Sequence, residues 1–104
     1  MTATMIAGRE VDVDEEGFLT DPSQWTPELA EALAANIGIE LTDEHMKAIE
    51  FARADQAEMG ETPTLRRMAT VGGFTTKEMF KLFPKKPAKK MSYVAGLQKP
   101  VGCV

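Results

Sequence analysis

Leu29, Leu33 and Ile37 recur every four residues, with Ala30 and Ala34 beside them, and this spacing predicts a helix with one buried face. Thr26-Pro27 opens it, since proline at the first helical position lacks only an amide that would be unpaired there, and Gly38 stops it. Asp21-Pro22 repeats the same opening arrangement, and Trp25 is expected to pack where the helix begins. A second stripe, Met46, Ile49, Ala52 or Arg53, and Ala57, follows Thr42-Asp-Glu-His45, in which Thr42 can cap and the two acids suit the positive helix end; Gly60 closes it. A third helix is predicted from Thr62-Pro63 through Leu65, Met68 and Val71 to Gly72-Gly73. The fourth begins at Thr75, whose partner Glu78 completes a capping box, carries Met79, Phe80, Leu82 and Phe83, and ends at Pro84.

Ahead of the helices the pattern changes. Met1 to Thr4 is expected to be disordered. Met5 to Val13 alternates imperfectly, with Val11 and Val13 on one side and Glu10 and Asp12 on the other, and it runs into Asp14-Glu-Glu-Gly17 and then Phe18-Leu19. This predicts a strand, a turn with Gly17 at positive φ, and a returning strand, together a small antiparallel hairpin. At the other end, Lys85-Lys-Pro-Ala-Lys-Lys90 is expected to be an extended, self-repelling connection from which a terminal arm leaves the body.

Composition narrows the possibilities. A chain of 104 residues, 43% hydrophobic, makes one domain with one modest core. A single cysteine excludes an internal disulfide and a four-cysteine metal site; with no signal peptide or long apolar run visible, a reducing cytoplasmic setting is expected, with no membrane span. The charge is uneven. From Lys77 onward there are seven lysines and one glutamate, while the preceding part holds fifteen acids against five basic residues. A basic segment on an acidic body can draw in acidic protein surfaces or RNA, and equally can be a solvated linker.

Candidate chemistry is sparse. His45 has no His or Cys at ligand spacing, so packing or hydrogen bonding in the first helical turn is its expected role and no metal is expected. Arg66 and Arg67 have two roles open to them: pairing with body carboxylates, or forming an anion site that docks the arm or a charged partner. Their helix, after a glycine-containing turn, also has the outline of a DNA-reading helix-turn-helix, but two arginines in an acidic body are a poor phosphate footprint. That leaves Cys103, next to the last residue, with Gly102 and Pro100 before it. A thiolate there attacks sulfur well, and a persulfide formed on it passes to another thiol by the same exchange. Such transfer needs reach more than a pocket: Gly102 removes bulk beside the sulfur, Gly96 offers a hinge, Lys99 favours the thiolate and the terminal carboxylate opposes it.

Asp14-Glu-Glu-Gly-Phe-Leu19, Asp21-Pro22 with Trp25, Glu40-Leu-Thr-Asp-Glu-His45, Pro63 with Arg66, Leu82-Phe-Pro84, and Ala95-Gly-Leu97 followed by Lys99-Pro-Val-Gly-Cys-Val104 resemble the DsrC/TusE family of sulfur-relay proteins. The resemblance runs from about Ile6 to the end; the chain departs from the family pattern at Met46, Thr70 and Gln98 and in a short Gly72-Gly73 loop. It implies an α+β fold, a small N-terminal β-meander on an array of helices, divided into a compact part (1–90) and a mobile C-terminal arm (91–104). It implies sulfur carried on Cys103; no cofactor is expected, and by charge and position Lys85, Lys86, Lys89, Lys90, Lys99 and Gly102 are the candidate partner contacts of the linker and arm. One branch carries a second cysteine eleven residues earlier, where this chain has Ser92, so the resemblance is to the single-cysteine, TusE-like branch. Implied partners are a TusBCD- or DsrEFH-like donor complex and an acceptor resembling the tRNA thiolase MnmA, with tRNA contacted only indirectly. The alternative is a DsrC-like paralogue in dissimilatory sulfur metabolism that docks on sulfite reductase, or a regulatory or DNA-binding module of the same fold.

Overall fold

A computed structural model describes residues 2–100. Its order is β1 (Thr2–Ile6), β2 (Arg9–Val13), a 3-10 turn (Pro22–Gln24), α1 (Pro27–Asn36), α2 (Asp43–Met59), α3 (Leu65–Thr70), α4 (Thr76–Leu82) and α5 (Pro87–Val94). The α+β class expected from the sequence is the one observed, with a two-stranded antiparallel sheet on five helices.

The hairpin is not where the alternation put it. β1 and β2 pair with Thr4 opposite Val11 and Ile6 opposite Arg9, so the stretch read as one strand from Met5 folds back on itself at Ala7-Gly8, and the segment expected to be disordered supplies β1. Both turn residues have positive φ, 52° and 77°, the pattern of a two-residue turn whose twist suits the strands; alanine there gives no sequence signal, which is why the turn was not legible. The expected Asp14–Gly17 turn does form. The Asp14 carboxylate accepts the amides of Glu16 and Phe18, Gly17 takes φ 90°, and the returning segment contributes a single bridge, Val13 to Leu19.

The helices start where side chains can cap them. Thr26, Thr42, Thr64 and Thr75 each accept an amide of the first turn, and Thr75 with Glu78 makes the expected capping box. For α3 the cap is Thr64, two residues later than predicted, which leaves Pro63 buried in the preceding extended segment. On α2 the buried face is His45, Ala48, Ile49, Ala52 and Asp55, while Ala57 is exposed.

Two apolar clusters form the interior. Val11, Val13 and Leu19 pack with Leu29 and Leu33 beneath the sheet. The larger cluster gathers Ala30, Ile49, Met68, Met79, Phe83, Met91 and Leu97 from all five helices and the segment after them. Trp25 and Tyr93 touch both clusters. Met91, Val94, Ala95 and Leu97 are each at most 1% exposed, so the boundary expected at residue 91 falls inside α5, and this part of the proposed arm belongs to the core.

Candidate functional site at the root of the C-terminal segment

The lysine-rich stretch was expected to be extended, and instead Pro87 opens α5. The charges oppose this helix little: Lys85 and Lys86 precede its first turn, and Lys89 and Lys90 are neighbours in sequence that do not face each other on the helix. Burying Met91 and Val94 contributes roughly 1.5–3 kcal/mol apiece, so the apolar face decides the outcome. Pro87, Met91 and Val94 are buried at helical spacing, a signal that the flanking charges masked. Ser92 is fully buried, and its hydroxyl donates to the Ala88 carbonyl at 2.7 Å.

α5 ends in a Schellman turn. The Leu97 amide donates to the Ser92 carbonyl at 3.0 Å and the Gly96 amide to that of Tyr93 at 3.4 Å, with Gly96 at φ 71°. Gly96 has a second reason to be glycine: a Cβ there would lie 2.5 Å from Trp25 Cδ1. Rather than a hinge, Gly96 is a close contact between backbone and indole. Trp25 Nε1 donates to the Val94 carbonyl at 2.9 Å, and the Arg53 guanidinium lies over the indole, 4.4 Å from its centre. The same guanidinium donates to the Ala95 carbonyl at 2.8 Å and to the Pro22 carbonyl at 2.9 Å. Burial pulls its pKa below the ordinary arginine value. Trp25, Arg53 and Gly96 thus fix the point from which the last residues depart. Arg53 was read only as a place on a helical stripe, and no local signal distinguished it, since its partners lie 31 and 42 residues away.

Beyond this lock the chain runs through exposed Gln98 to buried Pro100. Lys99 Nζ lies 3.3 Å from a Glu16 carboxylate oxygen, and Lys89 Nζ lies 3.8 Å from the other. Lys86, Lys89 and Lys90 line a surface cleft of about 360 Å³ whose other walls are Glu16, Phe18, Ile37 and Tyr93. The structure therefore joins two of the predicted lysines, Lys89 and Lys99, through one carboxylate that sequence reading did not single out, and sets Lys86 and Lys90 in the same cleft. Lys85 is exposed and holds φ 76° before the helix. Gly102 and Cys103 lie outside the described residues.

The remaining candidates are structural. Arg67 takes the first of its two possible roles: Nε and Nη2 each donate to Asp55 at 2.7 Å. That bond holds the Asp55 carboxyl below its usual range against the opposing effect of burial, and raises Arg67 in turn. Arg66 is exposed and makes no ion pair among the described residues. His45 Nδ1 accepts the Thr42 amide at 3.1 Å while Nε2 donates to the Leu82 carbonyl at 2.7 Å, which fixes the tautomer and ties α2 to the end of α4. Its ring meets Phe83 edge to face. Among the described residues no group of His, Cys, Asp and Glu could hold a metal ion, and no helix is long and apolar enough to cross a membrane.

A family model described as DsrC like protein matches residues 5–104. The chain is 39% identical to the sulfurtransferase TusE of Salmonella typhimurium, over 93% of this chain and 95% of that one. Among solved structures, Allochromatium vinosum DsrC superposes with a TM-score of 0.83 at 36% identity, covering 98% of this chain and 97% of the other. The oxidized gamma subunit of the dissimilatory sulfite reductase (DsrC) from Archaeoglobus fulgidus gives 0.77 at 35% identity, covering 99% of this chain and all of that one.

Proposed function

The chain belongs to the DsrC-like family, and from that membership we propose that it is a sulfur carrier of the TusE type, with Cys103 as the atom that bears the cargo. The observation that carries this is the match to the family over residues 5–104, which includes the only cysteine of the chain at its next-to-last position.

The transfer balances without an oxidant. The Cys103 thiolate attacks the outer sulfur of a donor persulfide, one S–S bond forms as the donor's breaks, and the donor leaves as a thiolate that takes up a proton. Cys103 then holds one extra sulfur, and an acceptor thiolate removes it by the same exchange, regenerating the Cys103 thiolate. What the described residues contribute is position: Arg53, Trp25 and Gly96 hold the chain at Ala95 and Gly96, seven residues before the thiol, so that the final segment starts from a fixed point. The donor on this reading is a TusBCD-like complex and the acceptor a thiolase acting on tRNA. Ser92 supports the one-thiol route over a two-cysteine redox route, because a buried hydroxyl bonded to Ala88 cannot enter a disulfide.

Incubation of the reduced protein with a persulfide donor, followed by intact mass measurement, tests this. The expected product has gained one sulfur atom, loses it on reduction, and is not formed by Cys103→Ser. Equal loading of the Cys103→Ser chain would sink the proposal.

A further inference from the structure

Beside the root of the arm lies a surface that the transfer chemistry does not use. Lys86, Lys89 and Lys90 project from one side of α5 over a floor made by Ile37 and the Phe18–Tyr93 pair, and Glu16 stands at its edge. Glu16 is shared between Lys89, from the cleft, and Lys99, from the segment that leads to Cys103. All three side chains keep about a third to a half of their surface open to solvent, so the contacts are weak and exchangeable. Three lysines line the cleft and Lys99 stands at its edge against a single carboxylate, which leaves local positive charge uncompensated on a body that is otherwise acidic.

We infer that this cleft docks an acidic, amphipathic segment of a partner protein, whose carboxylates take the lysines that Glu16 now holds and whose apolar side chains lie on Ile37 and Tyr93. The inference deepens the sulfur-carrier reading and rests on it for the existence of a partner, since a partner seated here displaces Glu16 from Lys99 next to the arm. Two features favour a protein segment over RNA. Ile37 gives the floor an aliphatic surface, which suits an apolar side chain and offers no stacking partner to a base. The aromatic rings are already engaged: Phe18 is buried and meets Tyr93 edge to face at 5.7 Å, and the Tyr93 hydroxyl accepts from Asn36, so neither ring is free to turn for base stacking.

The test is a heteronuclear NMR titration of the full reduced chain with a synthetic peptide alternating glutamate and leucine, beside a glutamate–serine peptide and oligouridylate RNA. Expected are shifts confined to residues around Phe18, Ile37, Tyr93 and Lys99, with affinity falling as salt rises. Lys86→Gln, Lys89→Gln and Lys90→Gln should each weaken the glutamate–leucine peptide by about two- to fivefold. Glu16→Gln should tighten it, because an internal competitor is removed; a merely structural Glu16 would not give that sign. Shifts spread equally over Lys47, Lys77 and Lys81, a Glu16→Gln affinity that is unchanged or weaker, equal binding of the glutamate–serine peptide, or larger shifts at these residues with RNA would each overturn the inference. Loading of the unsubstituted chain by a small persulfide is measured separately and needs no peptide, so failure of docking and failure of the carrier reading remain distinct.

Discussion

Gly96 is the residue on which the geometry is least forgiving. A side chain there meets two penalties at once, a left-handed backbone and an indole with no space to retreat, because Trp25 is held by Val94 on one side and Arg53 on the other. Gly96→Ala should therefore cost roughly 2–5 kcal/mol in urea denaturation, the sum of left-handed strain and overpacking. A loss under 1 kcal/mol would mean that the indole can move and that the lock is loose. Asp55 gives a second residue-scale expectation through its bond to Arg67. Its folded pKa is depressed, so its contribution to stability is complete above the ordinary carboxylate range near pH ~4 and is lost as pH falls through the lower folded value. Asp55→Asn should lower stability at neutral pH and flatten the decline on acidification; an unchanged acid limb in a pH series of thermal melts would contradict that. At this scale uniqueness and place singled out Cys103, which lies outside the described residues. Arg53 and Glu16 were not legible, because their roles arise only when segments up to 83 residues apart come together.

Elements that carry their own caps were readable: α1, α2 and α4 begin at threonines whose hydroxyls accept a first-turn amide, as the local residue order suggested. The two failures have different causes: the Ala7-Gly8 turn gave no clear signal in its first residue, and at α5 a tertiary contact overrode a local preference. β1 is held by pairing with β2, and α5 by burying Pro87, Met91 and Val94 against the other helices. α5 also begins badly. Its N-cap is Lys86, which makes no capping bond, and more lysines crowd the positive end of the helix. Lys86→Asp should supply both a cap and a favourable charge, stabilising the protein by about 0.5–2 kcal/mol in chemical denaturation. The same substitution should abolish most of the affinity for an acidic peptide. If the inferred docking is correct, stability and docking move in opposite directions at this one position; a variant that gains stability and keeps its affinity would separate the helix start from the cleft.

Seen as a whole, the molecule is two apolar clusters joined by Trp25 and Tyr93, and the C-terminal residues emerge at that join. Ser92 lies just inside it, fully buried, with its hydroxyl spent on Ala88. This placement makes a prediction about the one-thiol design. Ser92→Cys changes little volume and should fold, with a stability loss of about 1 kcal/mol or less. The introduced thiol, eleven residues before Cys103, then offers an intramolecular disulfide that the natural chain cannot form. Because that thiol is buried under the final turn of α5, closure under mild oxidation should be slow in buffer and should speed up in urea below the unfolding midpoint, as the Schellman turn opens. Alkylation and mass measurement over time would follow it. Closure that is equally fast without denaturant would mean that the last turn of α5 opens freely in the native state, and that Arg53 and Trp25 do not hold the root of the arm.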